Sequence, residues 1–281
     1  MKMLGKELSG YDINEIIDSL LKYMDRFKNG VLVPLSGGVD SSVLALLAYK
    51  KFKDKSRAVT FDSQLTPRYL LEASKKVAKY IGIKHIIVKS NEFAIKEFTR
   101  NPINRCYICK KYRFKVLEEI LLREKLDAIL DGTTFSDLSV YRPGLKAIEE
   151  MKEYVKTPYI DLKISKDITR KLASYFKIPT YNYPPDSCLA TRVMYNEELT
   201  PEKLKKIDIA EDYIRNLIGL KPIRVRLHGN LVRIEVPLDS FTDILKHKDL
   251  IRLKFHELGF NYITLDLEGF RSGSFDIYVK K

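Results

Sequence analysis

Cysteine is scarce in this chain of 281 residues, which holds three: Cys106, Cys109 and Cys188. Three thiols cannot close a disulfide framework, so a reducing cytoplasm is the expected compartment. Long apolar runs are missing as well. No stretch approaches the ~18–20 uncharged residues that a bilayer-spanning helix needs, and the opening MKMLGKELSGYDINE lacks the apolar core of a signal peptide. Internal repeats, low-complexity tracts and a dense basic arm are absent too. What remains is a 45% hydrophobic, globular composition with a formal net charge of +13. That charge favours anionic partners, yet its lysines are spread along the chain and equally describe a solvated surface.

The length suits two domains of ordinary size. Apolar residues at 13, 16, 17, 20, 21, 24 and 27 trace one face of a helix. A buried strand in GVLVPLSGG then runs into a glycine turn. The alternation continues with helices over 41–52, 67–81 and 107–122 and strands over 57–61, 84–88 and 127–132. Short strands alternating with helices predict a parallel α/β sheet with right-handed crossovers. The Pro-rich YNYPPDS breaks this rhythm, and beyond it come a helix over 201–218 and a hairpin, IRVRLH-GN-LVRIEV. Helices over 239–246 and 248–258 with strands at 260–267 and 274–279 complete a smaller α+β unit. The expected division is 1–183, a connector at 184–198 carrying Cys188, and 199–281.

LSGGVDSSVLALLA, residues 35–48, carries the strongest signal. Between a buried strand and a helix, a glycine turn exposes backbone N–H groups to an anion. Gly37 and Gly38 allow close approach of phosphate oxygens, and Ser36, Ser41 and Ser42 can donate hydroxyls. Asp40 is placed to hold Mg²⁺ against a triphosphate. The Gly-Lys-Ser/Thr ending of a Walker A loop is missing. Ser-Gly-Gly-x-Asp-Ser in this context resembles the PP-loop of the ATP pyrophosphatases, which cleave ATP to AMP and pyrophosphate and activate a carbonyl oxygen as an adenylate. The resemblance implies that Thr60, Phe61 and the turn at Gly132 flank the adenine.

Cys106 and Cys109 open a helix, where a Cys-x-x-Cys turn can bring two thiolates to one metal and the helix N-terminus lowers a thiol pKa. Zinc would want a fourth ligand, and no second pair or His-x-x-His supplies it. A redox dithiol and plain buried thiols stay open as readings. In the hairpin, a Gly229-Asn230 turn sets Arg226 opposite Arg233 and Arg224 opposite Glu235. Ile223, Val225 and Leu227 then face inward, with Arg224, Arg226 and His228 on the other face. Like charges directly opposite suggest a bound anion between them; solvated arginines are the plain alternative.

FDSQLTPR, NRCYICKK, DGTTFSDLSVYRPGLKA, SCLATR and IRVRLHGNLVRIEV, in this order, resemble the LarE family, the ATP-dependent sulfur insertases of nickel-pincer cofactor biosynthesis. The likeness runs from about residue 12 to 270. It implies adenylation of a carboxylate of a pyridinium dicarboxylate mononucleotide and replacement of the adenylate by sulfur. Members that also carry a Cys-x-x-Cys resemble a cluster-dependent type, in which Cys106, Cys109 and Cys188 would hold a [4Fe-4S] cluster; in others the SCLATR cysteine is sacrificed, leaving dehydroalanine. The resemblance also makes Arg224 and Arg226 the substrate-phosphate site, with Glu235 and Asp243 as polar partners, and lets Arg192 orient the acyl-adenylate beside the catalytic Cys188 and Asp40. One departure stands out. Thr134 and Ser136 replace an expected asparagine and acid, leaving Asp137. Asp161, Glu211 and Asp212 are further acidic candidates.

The expected cofactors are therefore ATP, Mg²⁺ and a [4Fe-4S] cluster, in a homo-oligomer that takes a pyridinium mononucleotide and sulfide or another sulfur donor. The nearest rival is a cluster-dependent tRNA thiolase, which the net charge suits. Against it, Val39 stands where those enzymes usually carry Lys, and no separate RNA-binding module or zinc pair is present. A non-catalytic nucleotide or nucleic-acid binder is the rival from another class.

Overall fold

The computed structural model describes residues 12–276. Five parallel strands form the first sheet: β1 (Val31–Pro34), β2 (Ser56–Asp62), β3 (Lys84–Lys89), β4 (Ala128–Leu130) and β5 (Val155–Lys156). Their spatial order is β3-β2-β1-β4-β5. The strand order reverses between β1 and β4, and in an open parallel sheet ligands bind in the crevice beyond the carboxyl ends of such strands. The glycine loop follows β1 and the turn at Gly132 follows β4, so both meet at that crevice.

The helix Val39–Phe52 is buried at Val39 and from Ser41 to Ala48. Its VLALLA run is apolar all round because sheet and helices enclose it; Ile13–Met24, Arg68–Ile81 and Lys166–Tyr175 pack against it. Asp12 caps the first of these by accepting from the Asn14 N–H at 2.9 Å. Gly82, at φ 81°, closes the second in a left-handed cap.

A second sheet orders β6 (Arg224–His228), β7 (Leu231–Glu235) and β8 (Tyr262–Leu265). The β6–β7 hairpin is antiparallel with Arg226 opposite Arg233, as the alternation predicts, while β8 joins β7 in parallel. Thr200 and Pro201 start the helix Pro201–Ile218, the threonine hydroxyl accepting from Lys203 N–H at 3.2 Å. One hydrophobic core includes Leu65, Phe98 and Ile108 from the first half of the chain together with Leu189, Ala190, Val193 and the second sheet. The segment read as a connector is thus partly core, tied by the Leu189 N–H to the Leu65 carbonyl at 2.9 Å.

Several elements differ from the expectations. The helices Gly144–Glu150 and Lys166–Tyr175 and the two-residue β5 have no place in the sequence reading. Residues 274–276 lie in a turn, and the rest of the strand expected at 274–279 falls outside the described residues. No helix among the described residues is long and apolar enough to cross a membrane.

Candidate functional site

The glycine loop is held open from within. Gly37 sits at φ 82°, and a Cβ there would stand 2.3 Å from the Leu70 carbonyl oxygen, so only glycine fits. Ser36 is exposed, and its hydroxyl lies 3.0 Å from that of Ser41 and 3.3 Å from the Gly38 N–H. Ser42 is wholly buried and donates to the Gly38 carbonyl at 2.6 Å; it shapes the turn from behind. Asp40 accepts from the Thr169 hydroxyl through one carboxylate oxygen, leaving the other without a hydrogen bond among the described residues. Burial pushes its pKa up, and Thr169 and Lys166 pull against that shift. An open carboxylate oxygen beside a phosphate-binding turn suits a hard divalent cation, which would favour the ionised form.

Thr60 lies buried under the loop, donating to the Leu35 carbonyl at 2.5 Å and meeting His85 Nε2 at 2.8 Å. Phe61 is covered by the Arg113 guanidinium, 4.9 Å from its ring centre. Gly132 crosses the helix N-terminus so closely that a Cβ would stand 3.3 Å from Ser41 N and Cα. Next to it, buried Asp131 binds Lys110 Nζ at 3.1 Å and the Thr133 N–H at 3.0 Å. Burial alone would raise the Asp131 carboxyl, but Lys110 and Thr133 hold it below its usual value. Lys110 follows Cys109 directly. Two contacts therefore lead from the glycine loop to the cysteines.

Cys106 and Cys109 occupy the first turn of the helix Arg105–Arg123. Cys188 caps the short turn Leu189–Arg192, and its carbonyl accepts from the Thr191 hydroxyl at 2.8 Å. The three thiols stand near enough for the Cys188 charge to act on both others. Sequence reasoning expected lowered thiol pKa values. Instead, burial pushes Cys106 up to about 11, even though it reaches the surface, and Cys109 up to about 12. Desolvation outweighs the helix terminus and the neighbouring Arg105 and Arg113. Among the described residues, no group of three or more His, Cys, Asp or Glu forms a ready-made metal site. A cubane, however, spreads its cysteine sulfurs farther apart than a single ion does, and three soft donors suit iron–sulfur chemistry. Arg113 lines this site, its Nε bound to fully buried Glu92 at 2.8 Å.

The arginines of the second half are corrections to the sequence reading. Arg192 is fully buried: its Nε and Nη2 bind Glu211 at 2.8 and 3.0 Å, Nη2 binds Asp186 at 2.7 Å, and Nη1 binds the Ser187 carbonyl at 2.9 Å and that of Cys188 at 3.2 Å. With its donors taken, Arg192 fastens the Cys188 loop and does not reach out to an adenylate. Arg224 and Arg226 are buried too, because residues 185–192 cover the hairpin face that carries them. Arg226 donates to the Thr191 carbonyl at 2.6 Å, and Arg224 to that of Pro185 at 3.0 Å and to Asp186 at 3.1 Å. The anion between Arg226 and Arg233 is the protein's own Glu235, bound at 3.0 and 3.1 Å. Asp243 stands apart, facing Lys221 at 3.6 Å. Of the acidic candidates, Asp161 binds the Tyr23 hydroxyl at 2.5 Å, Asp212 pairs with Arg215 at 3.0 Å, and Glu211 ties Arg192 to the Val225 N–H.

Comparison with known proteins fits this arrangement. The family model described as NAD synthase matches residues 12–116, which span the glycine loop and the first cysteines. An uncharacterized protein, slr1717, of Synechocystis sp. is 37% identical over 89% of this chain and 93% of its own length. Uncharacterized protein MJ0830 of Methanocaldococcus jannaschii is 34% identical over 88% of this chain and 94% of its own. The pyridinium-3,5-bisthiocarboxylic acid mononucleotide synthase of Lactiplantibacillus plantarum is 30% identical over 86% of this chain and 87% of its own length. The chain belongs to the family of that synthase.

For a synthase-family chain, the residues that sequence reasoning missed are those that hold others in place. Asp186 joins Tyr69, Arg192 and Arg224. Burial would raise its carboxyl, but Arg192 and Arg224 hold it below its usual value. Its position inside PPDSC was on view, though nothing local betrays such distant partners. Lys166 and Arg142 both pair with Asp137, the acid left in the altered DGTTFSD stretch.

Proposed function

We propose that this protein is an ATP-dependent sulfurtransferase that converts a carboxylate of pyridinium-3,5-biscarboxylic acid mononucleotide into a thiocarboxylate. Cys106, Cys109 and Cys188 would hold a [4Fe-4S] cluster. The observation that supports the reading is that Cys188, 79 residues past Cys109, packs against the same core as Cys109, near enough for its charge to act on Cys106 and Cys109. The Cys-x-x-Cys turn lies two contacts from a glycine loop, in a chain of the synthase family.

In this reading ATP-Mg²⁺ lies on residues 36–42. Backbone N–H groups and the Ser36 hydroxyl receive the phosphates, and the open oxygen of Asp40 receives the metal. The substrate carboxylate attacks the α-phosphorus; an O–P bond forms, and the bond to pyrophosphate breaks. A sulfur nucleophile at the oxidation level of sulfide then attacks the activated carbonyl carbon. A C–S bond forms, AMP leaves with the electron pair of the C–O bond, and no external oxidant or reductant is needed. Fixed donors of the loop stabilise charge as it develops. Arg192 fixes the backbone of the Cys188 loop by holding the Ser187 and Cys188 carbonyls. When bound, a cluster held by three thiolates would leave one iron free to carry sulfide. The anionic substrate meets Arg233, the one arginine of the hairpin network that is not deeply buried.

The test is anaerobic incubation of the protein with ATP-Mg²⁺, the biscarboxylate mononucleotide and sulfide. Thiocarboxylate, AMP and pyrophosphate should appear in equal amounts. AMP and pyrophosphate without thiocarboxylate, or thiocarboxylate without ATP, would overturn the reading.

A further inference from the structure

Arg105 is the first residue of the helix that carries Cys106 and Cys109, and it is only 3% exposed. Its guanidinium lies face-on over the Tyr195 ring, 4.0 Å from the centre. Nε and Nη1 are both buried and have no hydrogen-bond partner among the described residues. The other buried arginines differ: Arg192, Arg224 and Arg226 each meet a carboxylate at 3.1 Å or closer. Asp276 stands in the same neighbourhood but accepts from the Tyr195 hydroxyl at 2.9 Å and forms no ion pair with Arg105. A buried cation with idle N–H groups costs stability unless a ligand completes it.

The neighbours define that ligand. Arg105 adjoins Cys106, and its charge acts on that thiol and on Tyr141 and Tyr195. Three cations line the site, but Arg113 is already engaged by Glu92 and Arg142 by Asp137. Arg105 alone keeps its charge uncommitted. With Tyr195 covering one face of the guanidinium, a small anion fits better than a bulky one.

We infer that Arg105 is an anion-binding residue of the three-cysteine site and receives the small sulfur anion, hydrosulfide, that supplies the reaction. The inference rests on the proposed sulfur transfer for the identity of the anion and on the unpartnered guanidinium for its place. Binding needs no bond to break; two N–H groups of Arg105 donate to the sulfur, and the cation offsets its charge.

The test is an anaerobic calorimetric titration of the full-length protein with sodium hydrosulfide, with thiocyanate and inorganic phosphate as comparison anions. Wild type, Arg105→Met and Arg105→Lys are compared, with unfolding midpoints recorded to establish that each is folded. One saturable hydrosulfide site is expected, weakened at least ~10-fold in Arg105→Met, partly restored in Arg105→Lys, and not displaced by phosphate. In thiocarboxylate formation the same substitution should raise the KM for sulfide more than it lowers kcat. Equal binding in wild type and Arg105→Met, no saturable binding in wild type, or preference for phosphate overturns the assignment. Hydrosulfide binding that depends on Arg105, in a wild type that makes no thiocarboxylate, would leave the site standing and defeat the proposed function instead.

Discussion

Arg226 and Arg233 stand opposite each other across the hairpin, and a single buried carboxylate, Glu235, binds both. Ser274 donates a further hydrogen bond to Glu235 at 2.8 Å, and Phe275 lies 5.2 Å from the Arg226 guanidinium. Like charges directly opposed on a hairpin repel, so the pairing rests on the Glu235 carboxylate between them. Glu235→Gln should destabilise the fold by about 3–5 kcal/mol, because it strands Arg226 in the interior. Adding Arg226→Met should recover part of that loss. Urea unfolding of the single and double variants checks both, and an unchanged midpoint in the single variant would refute the network.

Asp208 lies on the helix Pro201–Ile218 and accepts from the Arg68 N–H at 3.3 Å, capping the start of the helix Arg68–Ile81. Burial pushes its pKa up to about 6, with the charges of Glu211 and Asp212 adding to the shift and the Arg68 N–H opposing it. A carboxyl whose pKa is raised on folding binds its proton more tightly in the folded state. Stability contributed by this group is therefore lost as pH rises from about 4 to about 6. Asp208→Asn should then be more stable than wild type at pH 7 by up to about 3 kcal/mol and indistinguishable from it near pH 4. Thermal or urea unfolding across that range measures the difference. A constant gap at every pH would mean that the substitution acts through the lost cap and not through the proton.

Much of this arrangement was legible in local pattern. The parallel sheet, the glycine turn after β1 and the register that sets Arg226 against Arg233 all follow from periodicity and turn residues, which act over a few positions. Burial of the hairpin arginines was not legible. Alternation assigns Arg224 and Arg226 to one face but cannot say that residues 185–192, more than thirty positions away, cover it. The same limit applies to Arg192, which looks like a free cation next to a reactive cysteine and is saturated by Glu211 and Asp186. The thiol pKa values moved the opposite way from expectation because the expectation weighed the helix terminus without the desolvation of tertiary packing. The helix Lys166–Tyr175 escaped notice, although its Thr169 holds Asp40.

Gly37 gives a direct test of the nucleotide loop. At φ 82°, with the Leu70 carbonyl and the Ser74 N–H closing in, alanine would bring both left-handed strain and a clash. The strain alone costs roughly 1–2 kcal/mol, and the clash must push the loop away from Leu70. Displacement on the order of 1 Å at a reacting site can cost about 100-fold in rate. Gly37→Ala should therefore cut pyrophosphate release at least ~100-fold while the protein stays folded. Release at the wild-type rate would place the nucleotide elsewhere.

The role of the three cysteines divides on iron. Anaerobic reconstitution with iron and sulfide should load about four irons per chain if the thiols hold a cubane. Cys106→Ala should lose them, together with the visible absorption of the cluster. Arg192→Lys offers a subtler arm. It keeps a charge near Glu211 but loses the planar donor set that grips the Ser187 and Cys188 carbonyls, so iron retention should fall without vanishing. If wild type takes up no specific iron, the cluster assignment fails and the sulfur must come from elsewhere. Cys188 itself then becomes the expected donor, and mass spectrometry after one turnover should find dehydroalanine at that position. An intact Cys188 in an iron-free enzyme that still makes thiocarboxylate would leave free sulfide as the donor, reaching the activated carbonyl without help from the cysteine.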